Sequence, residues 1–328
     1  VYLPETRVSS AQIAERVRMT TGFALPPQCI ERMTGIQERR HVVNGQHPSD
    51  LACEAGRRAL ADADLTPADV DTVIFASATQ DLAEPATANL LQEKLGIPHV
   101  RVFDVKNACN SLLTATDLAD SLIRTRKAQV VLVAAGEVCS YFIDYRVRSS
   151  ADLQSLFSGL TLGDAGGALV VREAREPHHG ICYSGFRSFG EHWNLSVVMG
   201  GGTLHGRDPE ATYLHCRGRD LFEVAVSCVV PEIQAALDAL GWTADDVDVV
   251  AAHQVALPIV HAIASQCGFD PERCAFSLPY AGNTAAASIP LALDHARRAG
   301  RLNAGTKVLC VGGASGFSVG VVGMVWGC

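Results

Sequence analysis

Three side chains able to run acyl chemistry stand where one structural pattern gives way to another: Cys109 in VKNACNSLL, His253 in VVAAHQ and Asn283 in AGNTAAASIP. A thiol at the start of a helical run meets unpaired backbone N–H groups and the positive end of the helix dipole, both of which favour a thiolate. A histidine at the carboxyl end of a strand sits where α/β sheets open their ligand crevice, as a base or a hydrogen-bond donor. The Asn283 side chain can cap the helix that follows it, or offer an amide donor, and the two roles are compatible. Each residue also has a bland reading: a buried cysteine, a satisfied histidine, a simple cap. Taken together they form a nucleophile, a base or donor, and an amide, a set that fits thioester chemistry through a covalent intermediate. The glycine-rich VGGASGFSVG of residues 311–320 adds backbone N–H groups suited to an oxyanion.

What must position these residues is a duplicated frame. A shift of 177 residues lays Asp69, Val70 and Asp71 on Asp246, Val247 and Asp248, and it also carries Val131-Leu132 onto Val308-Leu309 and Gly136 onto Gly313. One shift serving separated segments argues for two copies of one unit. Each copy reads as helix, acidic turn, strand (72–77; 249–253), helix and strand (130–135; 307–311), so the halves are α/β with buried, β-branched strands. The turn-rich EAREPHHG marks the junction, giving an N-terminal half 1–174 with the cysteine and a C-terminal half 175–328 with the histidine and asparagine. The same shift makes the helix starts at Cys109 and Ala286 pseudo-equivalent, and these starts are expected to meet where the halves join.

Composition narrows the function classes. The 328 residues are 48% hydrophobic and carry a formal net charge of -8, without basic blocks, which argues against nucleic acid or anionic lipid as a partner. No apolar run spans a bilayer and the first residues lack a secretory pattern, so a soluble, cytoplasmic protein with no membrane partner is expected. The eleven cysteines, scattered from Cys29 to Cys328 without a C-x-x-C, read as small buried hydrophobes, and the histidines show no ligand spacing. No metal and no cofactor are expected.

With ERMTGIQERR, DVKNACNSLL, LTLGDAGGALVV, AAHQ, AGNTAAASIPLAL and GGASGFSVG on one chain, the sequence resembles the ketoacyl synthase III group of condensing enzymes over nearly its whole length. The resemblance implies the five-layered αβαβα thiolase fold, a homodimer, and thioester substrates on coenzyme A or an acyl carrier protein. It implies that Cys109 accepts an acyl group, with the oxyanion held by backbone N–H groups of Cys109, Ser315 and Gly316. His253 and Asn283 then hold the carbonyl of a malonyl-type thioester as it loses CO2. Departures from the group's pattern point to specialised fatty-acid-derived or polyketide metabolism. Cys29 and Leu156 stand where a tryptophan and an arginine usually clasp the adenine of coenzyme A. Pro258 replaces a basic residue that meets the carrier protein, leaving Arg39-Arg40 or Arg217-Arg219 as docking candidates. Glu84 aligns with an aromatic residue that the partner subunit inserts into the acyl pocket, and CNSLL hints at a reshaped cavity.

The nearest alternative keeps acyl-Cys109 but passes the acyl group to an alcohol or amine, with His253 as general base. A papain-like hydrolase shares the Cys, His, Asn order but lacks its sequence context here. An inactive scaffold is the reading in which Cys109 accepts nothing.

Overall fold

A computed structural model describes residues 1–43 and 45–327. The N-terminal sheet contains β1 (Thr72–Ala76), β2 (Arg101–Val105), β3 (Val130–Val138) and β4 (Asp164–Arg172), in the order β2-β1-β3-β4. The C-terminal sheet contains β5 (Gly180–Ser188), β6 (Val249–Ala252), β7 (Lys307–Ala314) and β8 (Ser318–Val325), in the order β6-β7-β8-β5. The chain passes from one sheet to the other between Arg172 and Gly180.

The internal repeat survives at the level of register. Thr72 pairs with Val131 in one sheet, and Val249 pairs with Val308 in the other, both parallel and both 177 residues on. Isolated bridges complete the symmetry: Tyr2 pairs with Gly166 beyond β4, where β5 flanks β8, and Cys274 pairs with Val250 beyond β6, where β2 flanks β1. Each sheet is thus five-stranded in outline.

Helices α1 (Pro48–Asp62) and α2 (Thr87–Leu95) cover the outer face of the N-terminal sheet, and α4 (Gly218–Leu240) and α5 (Leu257–Gln266) cover that of the C-terminal sheet. Between the sheets lie α3 (Ser111–Arg124) and α6 (Ser288–Arg298), completing the αβαβα layering expected from the sequence. These two central helices trade side chains across the middle. Leu113 of α3 belongs to the cluster of Val249, Ile289 and Val322, while Ala286 just before α6 packs with Ile74 and Leu112. Burying an aliphatic side chain of that size contributes about 1.5–3 kcal/mol, and here it joins the halves as well as filling them.

The strands run further than their apolar spans suggest. Strands β3 and β7 continue through Gly136–Val138 and Gly312–Ala314 rather than stopping at Ala135 and Val311. These glycines keep their place because neighbours press on them: a Cβ at Gly136 would lie 1.8 Å from the Pro48 carbonyl oxygen, and one at Gly312 would lie 1.7 Å from Asn110 Oδ1.

Candidate active site

The local geometry of Cys109 begins with a left-handed turn. Ala108 has φ 45°, and its counterpart 177 residues on, Ala285, has φ 44°. Such a conformation costs a non-glycine residue of order 1–3 kcal/mol and persists only where surrounding contacts impose it. Here serine hydroxyls do so in both copies: Ser111 Oγ donates to the Ala108 carbonyl at 2.7 Å and Ser288 Oγ to the Ala285 carbonyl at 2.8 Å. The turn lifts Cys109 out of line just before α3, whose first residue is Ser111, and aims its sulfur into a cavity of about 1010 Å³.

That cavity gathers the residues named from sequence. Cys109, His253, Asn283, Ser315 and Gly316 all line it. Ser315 and Gly316 occupy the turn between β7 and β8, and Gly316 adopts φ 121°. Backbone N–H groups of Cys109 and Ser315 face the Cys109 sulfur, the arrangement an oxyanion hole requires.

The electrostatics differ from the helix-terminus expectation. Burial, with the carboxylate of Glu137 second, pushes the Cys109 thiol up to about 12 against the pull of those two N–H groups. The resting group is a thiol, because desolvation in this apolar cavity outweighs the helix end. Burial likewise pulls His253 down to about 4, so its ring is neutral at rest. Its Nδ1 lies 2.8 Å from Ser288 Oγ, whose proton already goes to the Ala285 carbonyl. Nδ1 therefore carries the ring proton as donor, and Nε2, buried without a partner, presents a lone pair.

Asn283 is held by the opposite half. Its backbone N–H donates to the Thr161 carbonyl at 3.0 Å, and its carbonyl accepts from the Gly163 N–H at 2.9 Å. Its Oδ1 accepts from the Ala285 N–H at 3.1 Å, which leaves Nδ2 as the donor for a ligand. The Oδ1 bond closes a turn one residue ahead of Thr284, which precedes the 285–287 turn, and Asn283 does not cap α6, which begins at Ser288.

Two residues escaped the sequence reading. Glu137, fully buried, accepts from Ala78 N, Thr79 N, Thr79 Oγ1 and Ala286 N at 2.8–3.2 Å, tying the loop after β1 to the start of the α6 segment. Its signal was available as a lone charge in the apolar run VLVAAGEV. Ser288 was visible only through its match with Ser111 under the 177-residue shift.

Arg39 and Asn110 depart from expectation. Arg39 cannot greet a carrier protein: it is wholly buried, donates to Ser10 Oγ and the Leu160 carbonyl, and burial lowers its pKa to about 10. Arg40 is half-buried and donates to the Pro4 and Glu5 carbonyls. Arg217 and Arg219 are exposed but paired with Asp220 and Glu223 of their own helix. Asn110 does not reshape the cavity; it is buried with its Nδ2 donating to the Ser318 carbonyl and Oγ, stapling one half to the other. Glu84 is exposed on its loop and is not among the residues lining this chain's cavity. Cys29 and Leu156 pack with the cluster around Ile13 and Ile30, and Pro258 opens α5 in the first helical turn.

Family models for 3-oxoacyl-[acyl-carrier-protein] synthase III match residues 103–190, and for its C-terminal part residues 237–326. A β-ketoacyl-[acyl-carrier-protein] synthase III of Rhodospirillum rubrum is 35% identical over 97% of this chain and 95% of its own. The chain belongs to the 3-oxoacyl-[acyl-carrier-protein] synthase III family. The Agrobacterium fabrum member is 36% identical over 90% of each chain. Among solved structures, the Aquifex aeolicus synthase III superposes with TM-score 0.86 at 29% identity over 99% and 97% of the two chains. Xanthomonas campestris OleA superposes with TM-score 0.88 at 25% identity over 99% and 95%. The thiolase fold of this acyl-transferring, condensing family is therefore that of the present chain. Among the described residues, no helix is long and apolar enough to cross a membrane.

Proposed function

We propose that the protein is a ketosynthase in which Cys109 takes an acyl group from a thioester and a malonyl-type thioester then loses CO2 and condenses with it. The observation that carries this reading is the convergence, in one cavity, of the Cys109 sulfur, the Ser315 N–H, the bare Nε2 of His253 and the Asn283 amide.

In the first half-reaction Cys109 Sγ attacks the thioester carbonyl, its proton passing to Nε2 and from there to the departing thiol. The oxyanion is held by the N–H groups of Cys109 and the Ser315-Gly316 turn, each donor worth roughly 3–4 kcal/mol. In the second, Asn283 Nδ2 donates to the malonyl carbonyl oxygen while the C–CO2 bond breaks. The enolate carbon then attacks acyl-Cys109, and the sulfur leaves. Here His253 must donate through Nε2. Ser288 makes both demands compatible, since a hydroxyl that accepts from Nδ1–H can turn and donate to Nδ1. No cofactor enters either step. The partners are acyl thioesters delivered on coenzyme A or an acyl carrier protein, with a second copy of the chain as subunit, in specialised fatty-acid-derived or polyketide metabolism.

The lone pair on Nε2 equally suits deprotonation of an alcohol or amine acceptor, which would give simple acyl transfer. One assay separates the two. Intact-mass analysis across coenzyme A and carrier thioesters is expected to show one acyl adduct per chain, absent in Cys109→Ala, followed by CO2 release and a β-ketoacyl product on addition of malonyl thioester. Adducts that persist in Cys109→Ala remove the nucleophile, and turnover without CO2 selects the simple transferase.

A further inference from the structure

The oxyanion site at Cys109 has a twin in the other half. Under the 177-residue shift Cys109 corresponds to Ala286, Ser315 to Val138 and Ala314 to Glu137. Both copies open on the same left-handed residue, Ala108 at φ 45° and Ala285 at φ 44°. At the cavity the N–H groups of Cys109 and Ser315 face the sulfur, and the position matching Glu137 holds only the methyl group of Ala314. In the twin, the Ala286 N–H donates to Glu137 Oε1 at 3.2 Å. The Val138 N–H donates at 3.1 Å to Thr79 Oγ1, which lies 2.9 Å from Glu137 Oε2. One copy is left open for the oxygen of a substrate, and the other is filled by a carboxylate of the chain itself. Backbone N–H groups gathered at such a turn favour an anion, and Glu137 supplies one.

This filling is costly. Glu137 is wholly buried, and its partners are neutral donors: Ala78 N, Thr79 N and Oγ1, Ala286 N and, at 3.9 Å, Cys139 Sγ. Burying a charge without a cation is unfavourable, so the carboxylate calls for a reason beyond packing. What it holds is the turn behind both donors of the second half-reaction. Ala286 follows Ala285, whose N–H donates to Asn283 Oδ1 at 3.1 Å and whose carbonyl accepts from Ser288 Oγ, the hydroxyl 2.8 Å from His253 Nδ1. A grip on the Ala286 N–H therefore sets the aim of Asn283 and His253 together. The Cys109 turn is closed by Ser111 instead, and toward Cys109 the carboxylate acts as a charge that opposes the thiolate.

We propose that Glu137 is a positioning residue for decarboxylation: its carboxylate occupies the C-terminal copy of the oxyanion site and, through Ala286 and Ala285, fixes the groups that receive the malonyl carbonyl. The inference rests on the condensation reading and deepens it.

The two half-reactions are expected to respond differently. In Glu137→Gln an amide N–H is set against N–H donors, so the turn loosens while the charge beside Cys109 disappears. Acyl-adduct formation, followed by intact mass at about pH 8, above the Glu137 pKa of about 7, is expected to stay level or speed up. CO2 release from malonyl-pantetheine by the acylated enzyme is expected to fall on the order of 10²-fold, the effect of a small misplacement of the donors. Glu137→Asp keeps the charge on a shorter arm and is expected to lose roughly tenfold or less in CO2 release, again without slowing the adduct. A parallel fall of both half-reactions in Glu137→Gln assigns the residue to packing and overturns the proposal, as does unchanged CO2 release. If Glu137→Gln does not fold, Glu137→Asp decides by the same split. A readout without turnover keeps this separate from the ketosynthase reading. With nitrogen-15 asparagine labelling, the Asn283 side-chain amide signal, identified by its absence from Asn283→Ala, is expected to move in the folded Glu137 variant. A wild type that acylates but releases no CO2 sinks the ketosynthase reading, and the amide signal then judges Glu137 alone: a shift sustains the positioning role, and an unmoved signal ends it.

Discussion

Ser288 Oγ sits 2.8 Å from His253 Nδ1 and donates to the carbonyl of Ala285, the residue held in the left-handed turn. This contact sets which ring nitrogen carries the proton, and Ser288→Ala removes both the tautomer control and the group that lets it reverse. Condensation is expected to fall on the order of 10²-fold with KM for the malonyl thioester little changed, and Ser288→Thr is expected to restore most of it. Steady-state kinetics on both variants checks this; equal losses in Ala and Thr would point to packing instead.

A thiol pushed up to about 12 reacts slowly with iodoacetamide at neutral pH. Because the thiolate is the nucleophile, alkylation of Cys109 in the substrate-free enzyme is expected to rise with pH and reach no plateau below about pH 10. Glu137→Gln takes away a neighbouring negative charge and is expected to speed alkylation. Mass-resolved alkylation rates test both statements, and a plateau near neutrality would mean that the thiolate already exists at rest.

In the proposed reaction Asn283 offers Nδ2 to the malonyl carbonyl and plays no part at the Cys109 oxyanion. Asn283→Ala is therefore expected to lose decarboxylation by roughly 10²–10³-fold while still forming the acyl adduct. Parallel measurement of CO2 release and adduct mass resolves the two half-reactions.

Glu137 provides a pH signature of stability. Burial raises its pKa to about 7 against the pull of its four hydrogen-bond donors. The folded protein therefore binds a proton there that the unfolded chain releases near the ordinary carboxylate value. The stabilising contribution is full below that value and is lost as pH rises through about 7. Asp164, raised to about 6, acts in the same sense, whereas His41 and His253, lowered to about 4, act in the opposite one, losing stability as pH falls. The difference between wild type and Glu137→Gln in urea melts across pH 4.5–7.5 isolates the Glu137 contribution, and its slope is expected to be negative for the wild type relative to the variant.

Much of this site was legible before any coordinates. The duplication placed the helix starts opposite one another because register is inherited with the strands, and Cys109, His253, Asn283, Ser315 and Gly316 reached one cavity. What sequence could not supply was environment. The helix-end argument for a thiolate at Cys109 ignored desolvation, which depends on atoms far apart in the chain. Arg39 looked like surface because charged pairs generally are, yet its neighbours Ser10 and Leu160 accept it into the core. The departure CNSLL marked Asn110 as unusual, but only its partner Ser318 shows that the residue joins halves instead of shaping a pocket.

The Asn283 amide, for which a catalytic role is proposed, is tied down by the opposite half. With the Asn283 backbone strung between Thr161 and Gly163, one turn of the C-terminal half is anchored in the N-terminal one. Catalytic competence thereby becomes a gauge of how firmly the two lobes stay docked: a slip of the junction that spared every helix and strand would silence the enzyme first.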